Sequence, residues 1–169
     1  MKKLIADKIG RVVKNKSQVE NELGVKIAVK GREVSIEGTP EDEYYAERIV
    51  EALNLGFPAE IAILIKEEDY VFEILNIKSY TKRKDFERIR GRIIGTDGKT
   101  LKVLESLTKC FFEVKDNNVG IIGHADNIKN AQEGIISLIR GAKQSKVYSY
   151  LEQHQVEPIY DLGLKEKGK

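Results

Sequence analysis

The chain repeats itself at an offset of 85 residues, and that repeat restricts the fold to two copies of one small unit. Setting Val29 against Val114 brings Val34 to Val119, Ile36 to Ile121, Gly38 to Gly123, Ala46 to Ala131, Val50 to Ile135, Leu53 to Leu138 and Gly56 to Gly141. Counting backward, Val25 meets Cys110 and Ile27 meets Phe112. Each copy reads as a strand (25–29; 110–114), a short polar connection, a second strand (34–37; 119–122) and an amphipathic helix (40–55; 125–140). Pro40 suits the first turn of its helix, and a glycine just past each helix end suits the C-terminal cap.

Upstream the offset becomes 81, with Gly10 against Gly91, Arg11 against Arg92, Val12 against Ile93 and Val13 against Ile94. The first copy is therefore four residues shorter between Val13 and Val25. That is where the second copy carries Gly95-Thr96-Asp97-Gly98, between a helical pattern (Phe86, Ile89, Ile93, Ile94) and another (Leu101, Leu104, Leu107). The first copy has Lys14-Asn15-Lys16-Ser17 there, with no glycine. A strand is predicted ahead of each unit, at 70–77 and more briefly at 1–5.

Each half then reads strand–helix–helix–strand–strand–helix, an α+β unit with a three-stranded antiparallel sheet covered by helices on one face. The predicted division is a first unit over 1–56, a connector over 57–69, a second unit over 70–155 and a flexible tail over 156–169. The connector is apolar, with a short helix over 59–66 after Pro58 burying Ile61, Leu64 and Ile65, so the two units are expected to pack as one rigid body. A closing helix over 144–153 presents Val147, Tyr148 and Leu151 for packing.

Glycines at 95 and 98 let the chain turn sharply and approach a phosphate without a Cβ in the way, and the N–H groups opening the next helix favour an anion. A nucleotide-binding P-loop is excluded, because it needs a glycine five positions before Gly98 and a strand before the loop; position 93 is Ile93 in a helical pattern. Charge supports a phosphate partner. Residues 78–102 hold nine basic and three acidic side chains, a surplus of +6 in a chain whose net charge is only +2.

The lone cysteine, Cys110, excludes an intramolecular disulfide and reads as a buried, inert thiol in an apolar run. His124 and His154 stand far apart without a second ligand at metal spacing, and no nucleophile–histidine pair is present, so neither metal, cofactor nor catalysis is expected. No apolar run reaches membrane-spanning length and the start is too short in apolar residues for a signal peptide, which points to the cytoplasm.

Strand–helix–GxxG–helix–strand–strand–helix resembles the type I KH domain. Gly-Arg-Ile-Ile-Gly-x-x-Gly-Lys-Thr (91–100), Ile121-Ile122-Gly123, Ile139-Arg140-Gly141-Ala142, Val147-Tyr148-x-Tyr-Leu151-Glu152 and Gly56-Phe57-Pro58-Ala59-Glu60 together resemble the PNO/Dim-two ribosome-assembly family, in its short archaeal form. The resemblance covers nearly the whole chain and is stronger in the second half. It implies tandem type I KH units (β-α-α-β-β-α), the first degenerate for want of GxxG. It also implies RNA binding near the 3′ end of small-subunit rRNA, with the NOB-one type endonuclease and the α subunit of translation initiation factor two as further partners.

The residues expected at RNA are Arg92, Ile94, Gly95, Thr96, Asp97, Gly98, Lys99, Thr100, Leu101 and Lys102, in a groove for about four unstacked nucleotides. Ile94, Leu101 and one of Phe111 or Phe112 would pack on bases. The alternative reading is a protein-interaction scaffold in ribosome assembly or translation initiation, working through the first unit with little RNA binding of its own.

Overall fold

In the computed structural model, which describes residues 1–156, the first half runs β1 (Lys2–Ile5), α1 (Ile9–Leu23), β2 (Lys26–Lys30), β3 (Glu33–Glu37) and α2 (Pro40–Leu55). A connector of α3 (Ala59–Ala62) and one 3-10 turn (Ile63–Lys66) leads to the second half. There β4 (Tyr70–Asn76), α4 (Phe86–Ile94), α5 (Lys99–Thr108), β5 (Phe111–Lys115), β6 (Asn118–His124) and α6 (Ala125–Ile139) follow, and α7 (Gln144–Gln153) closes the described chain. The tail expected at 156–169 lies, apart from Val156, outside the described residues. Both sheets are antiparallel with the third strand central, in the orders β1-β3-β2 and β4-β6-β5.

One expectation is corrected in the first half, where helix–helix becomes a single helix. Nothing between Ile9 and Leu23 breaks the backbone, so α1 runs through Lys14, Asn15, Lys16 and Ser17 and stops only at Gly24, in the left-handed region. Its buried face carries Val12 and Val19. In the connector, Ile65 is buried as expected, but Ala62 joins it, while Ile61 and Leu64 are half-buried.

The repeat persists in atomic detail. The Ile27 N–H donates to Glu20 Oε2 at 2.8 Å, and 85 residues on the Phe112 N–H donates to Glu105 Oε2 at 3.3 Å. In each half a helix carboxylate thus occupies an outward backbone donor of an edge strand. Gly38 and Gly123 also match: a Cβ on Gly38 would lie 2.9 Å from Val25 Cγ1, and one on Gly123 would meet Cys110, 3.0 Å from its Cβ and nearer its sulfur. The helices that follow the central strands, α2 and α6, start alike, Thr39 Oγ1 accepting from the Asp42 N–H and His124 Nδ1 from the Asp126 N–H, each at 3.2 Å.

Where the halves differ is the outer face of the sheet. Phe72, Ile122 and Phe111 of the second sheet pack into the core of the first half, beside Phe57 and Leu55. A Cβ on Gly120 would lie 2.9 Å from Phe57. The Arg48 guanidinium sits 4.5 Å from the Phe72 ring centre and donates to the Phe72 carbonyl, and Lys115 Nζ donates to the Asn54 carbonyl at 3.2 Å. At the matching positions of the first sheet stand Lys26 for Phe111, Ser35 for Gly120 and Glu37 for Ile122, polar side chains where the second sheet has its apolar contacts. The second sheet therefore has its own helices on one face and the first half on the other.

A second core, under α4 to α7, contains Ile89, Ile93, Leu104, Ile121, Leu138 and Leu151. Each such side chain contributes about 1.5–3 kcal/mol by leaving water. Cys110 is buried within it, and burial pushes its thiol up to about 11, the Thr108 contact only partly offsetting the shift, which keeps it unreactive.

Burial at the junction also holds the Glu113 carboxyl above its ordinary range, with Glu105 adding repulsion and Arg11 opposing. A carboxyl raised on folding loses stability as pH climbs through its folded pKa, and the loss is complete above it. Glu113→Gln should therefore melt at a higher temperature than the parent at pH 7, with the difference closing in melts run below the unfolded carboxylate range.

Candidate nucleic-acid interface

Gly95 ends α4 in a conformation (φ 77°, ψ 172°) that only glycine adopts at ordinary cost. The Gly95 N–H donates to the Gly91 carbonyl at 2.8 Å, and the Gly98 N–H returns to the Gly95 carbonyl at 3.2 Å, folding residues 95–98 into a tight turn. Asp97 (φ 54°) and Gly98 (φ 74°) are both left-handed, which costs the aspartate about 1 kcal/mol. Thr100 is buried against Gly95; a Cβ there would lie 2.6 Å from the Thr100 N and closer still to its hydroxyl.

At the start of α5 no side chain caps the first N–H groups and the first turn holds no acid. The Gly98 and Lys99 N–H groups are taken by the Gly95 and Thr96 carbonyls within the turn, and the positive end of the helix opens without a side-chain cap beside the exposed Lys99 and Lys102. Thr96 and Asp97 are exposed at the tip. Ile94 is half-buried and belongs to neither core, leaving an apolar surface at the loop's edge, whereas Leu101 leans on the second core.

Arg92 points elsewhere. Its guanidinium donates to the Leu138 carbonyl at 2.8 Å and to the Ala142 carbonyl, and its own carbonyl accepts from Gln144 at 3.3 Å. The last carbonyls of a helix are unsatisfied and carry partial negative charge, so a nearby guanidinium is drawn to them. Arg92 thereby fastens the loop end of α4 to the α6–α7 corner. Arg90 donates to Asn117 Oδ1 at 2.6 Å, leaving Arg88 as the exposed arginine of the three on α4.

Neither Phe111 nor Phe112 is free to stack on a base. Phe112 is buried in the second core and Phe111 packs against the first, because alternate residues of β5 face opposite sides of a sheet covered on both. The outward edge of β5 offers backbone instead. Glu105 occupies the Phe112 N–H, and by the alternation of the ladder the Val114 N–H and C=O face the same way. No sequence signal marked Val114, since any residue supplies a backbone amide.

Residues 71–156 match the eukaryotic type KH-domain (KH-domain type I), in the form of the PNO1 second domain. A KH domain-containing protein of Methanocaldococcus jannaschii is 34% identical over 164 residues, covering 90% of this chain and 72% of its own. The chain belongs to the PNO1/Dim2 family. A pre-rRNA-processing protein, PNO1, of Emericella nidulans is 35% identical over 111 residues; that match takes in 63% of this chain but only 43% of the relative. A crystal structure of an a/eIF2alpha–aDim2p–rRNA complex from Pyrococcus horikoshii superposes with TM-score 0.83 at 29% identity, over 90% of this chain and 92% of its counterpart.

PNO1/Dim2 members are KH-type binding proteins rather than enzymes. In this one the described residues include no group of three acidic, histidine or cysteine side chains placed for a metal, and no helix long and apolar enough to cross a membrane.

Proposed function

We propose that the second half binds single-stranded RNA near the 3′ end of small-subunit rRNA, as a non-catalytic, cytoplasmic factor in small ribosomal subunit maturation. The observation that carries this is the uncapped start of α5 behind the turn at residues 95–98, with Lys99 and Lys102 exposed beside it. Phosphate would lie on the loop backbone, bases against Ile94, and a base edge on the Val114 backbone. The rRNA in the Pyrococcus complex and the pre-rRNA-processing role in the name of the Emericella relative support the reading.

Crosslinking the protein to RNA in cell extract and mapping the sites tests it. Recovery of the 3′ region of small-subunit rRNA is expected; recovery scattered over unrelated RNA would count against it. Affinity should also fall linearly with salt on a log–log plot, by about 0.7 per phosphate engaged.

The first half is a degenerate KH unit in this proposal, holding the scaffold without the clamp. Its continuous α1 favours a role in protein contact, with the α subunit of initiation factor two and the NOB-one type endonuclease as the partners to try; the former is supported by its presence in the Pyrococcus complex. Replacing Lys14 and Lys16 together by alanine should alter RNA affinity less than about threefold, through general charge alone. A loss as large as that from damaging the loop at 95–98 contradicts the asymmetry. Shared core residues such as Phe57 and Phe72 also support motion of the two halves as one body. NMR relaxation should return one rotational correlation time, and two distinct values exclude it.

A further inference from the structure

Only one edge of the second sheet borders the proposed RNA groove. The other edge, β4, has no strand beside it among the described residues. Ala125 donates to the Asp69 carbonyl and Ile77 to the Asn117 carbonyl, both at 2.8 Å, so the odd-numbered residues of β4 bond to β6. The even-numbered residues therefore turn their N–H and C=O groups outward; the Tyr70 N–H is taken by the Glu67 carbonyl at 3.1 Å, and Phe72 and Ile74 follow along the edge. Arg48 occupies the Phe72 carbonyl. Ile74 has no hydrogen-bonded side-chain partner among the described residues, and its own side chain is 37% exposed. Lysines, prolines and bulges usually protect a free edge, and a strand that lacks them is a template for an added strand. Among the residues of β4 there is neither lysine nor proline.

A groove runs alongside, lined by Tyr44, Tyr45, Arg48, Ile65, Tyr70 and Phe72 among others, with Tyr44 53% exposed. Its surroundings are acidic. From residue 37 to residue 73 the chain carries eleven acidic and two basic side chains, a net −9, against the +6 at 78–102. Glu67, Glu68 and Asp69, immediately before β4, are all exposed. Such a surface repels a phosphate chain and attracts a cationic one, and tyrosine rings seat lysine or arginine heads over their faces.

We propose that the β4 edge and the tyrosine groove take up an extended lysine- or arginine-rich segment of a partner protein, which adds to the second sheet as a fourth strand. Backbone bonds to the Phe72 N–H and to the N–H and C=O of Ile74 hold the segment, while Glu67, Glu68 and the tyrosines select its charge. The inference is independent of the RNA reading, because it uses the opposite edge of the sheet and the opposite charge.

The test uses the whole chain and a fluorescein-labelled octapeptide of alternating lysine and valine, with a glutamate–valine octapeptide as control. Anisotropy should show salt-sensitive binding of the lysine peptide alone, and hydrogen exchange should slow at the Phe72 and Ile74 amides. Ile74→Pro removes an outward N–H without breaking a ladder bond, and Glu67→Lys with Glu68→Lys reverses exposed charge. Each should weaken the peptide at least about tenfold, equivalent to 1.4 kcal/mol. If Ile74→Pro does not fold, the double lysine variant carries the test, since its positions are exposed. Equal binding of the glutamate peptide, unchanged exchange at the two amides, or indifference to the folded variants overturns the proposal. So does self-association through this edge without peptide, or binding of a single-stranded oligonucleotide there.

Discussion

Gly95→Ala is expected to lose RNA affinity at least about tenfold and to cost the fold about 2–4 kcal/mol, summing a glycine-only backbone conformation and overpacking. The alanine methyl would lie 2.6 Å from the Thr100 backbone nitrogen, which cannot retreat without moving the first turn of α5. Gly98→Ala meets open space and violates only the left-handed φ of 74°, so about 1–2 kcal/mol covers it. Thermal melts with RNA titrations of the two variants separate these outcomes. Equal losses from both would show that Thr100 does not lock the loop.

Thr96→Asp acts through charge instead. Thr96 is exposed at the tip and packs in neither core, so the melting temperature should hold, with a stability change within about 0.5 kcal/mol. The change places two carboxylates side by side, at 96 and 97, where phosphate must approach. A carboxylate at position 96 and a bound phosphate about 5 Å away, at an effective dielectric near 20, repel by about 3 kcal/mol before screening. Affinity should drop by about tenfold or more, and the drop should shrink as salt rises. Unchanged affinity with unchanged melting would reduce residues 95–98 to a plain turn and shift the main function toward protein contact.

Much of the architecture was legible because the repeat let one copy check the other. The paired strands at 26–30 and 111–115 lie one residue from their predicted places, and α2 and α7 fall on theirs. The same alignment misled at α1. Homology of pattern suggested a second helix break, whereas helix propagation needs only that no residue oppose it, and residues 14–17 contain neither glycine nor proline. Each sheet was expected to be covered by helices on one face, and the packing of Phe72, Phe111 and Ile122 against the first half on the other face of the second sheet emerged only in the tertiary structure.

The candidate site divides in the same way. Sequence alone determined where the loop is, that glycines bound it, and that basic residues surround it, since those properties belong to local backbone freedom and composition. Tertiary structure decided what each flank does. Arg92 is adjacent to the loop in sequence, yet it serves the C-terminal carbonyls of α6, because an unsatisfied acceptor row came within reach only once α4 had packed on α6. Thr100 became the buried stop against Gly95, and Phe111 and Phe112 were taken by two different cores. Two glycines that look equivalent in the motif proved unequal, one pressed against a neighbour and one in open space. Distance along the chain sets which groups are available, and only packing sets which neighbours they meet.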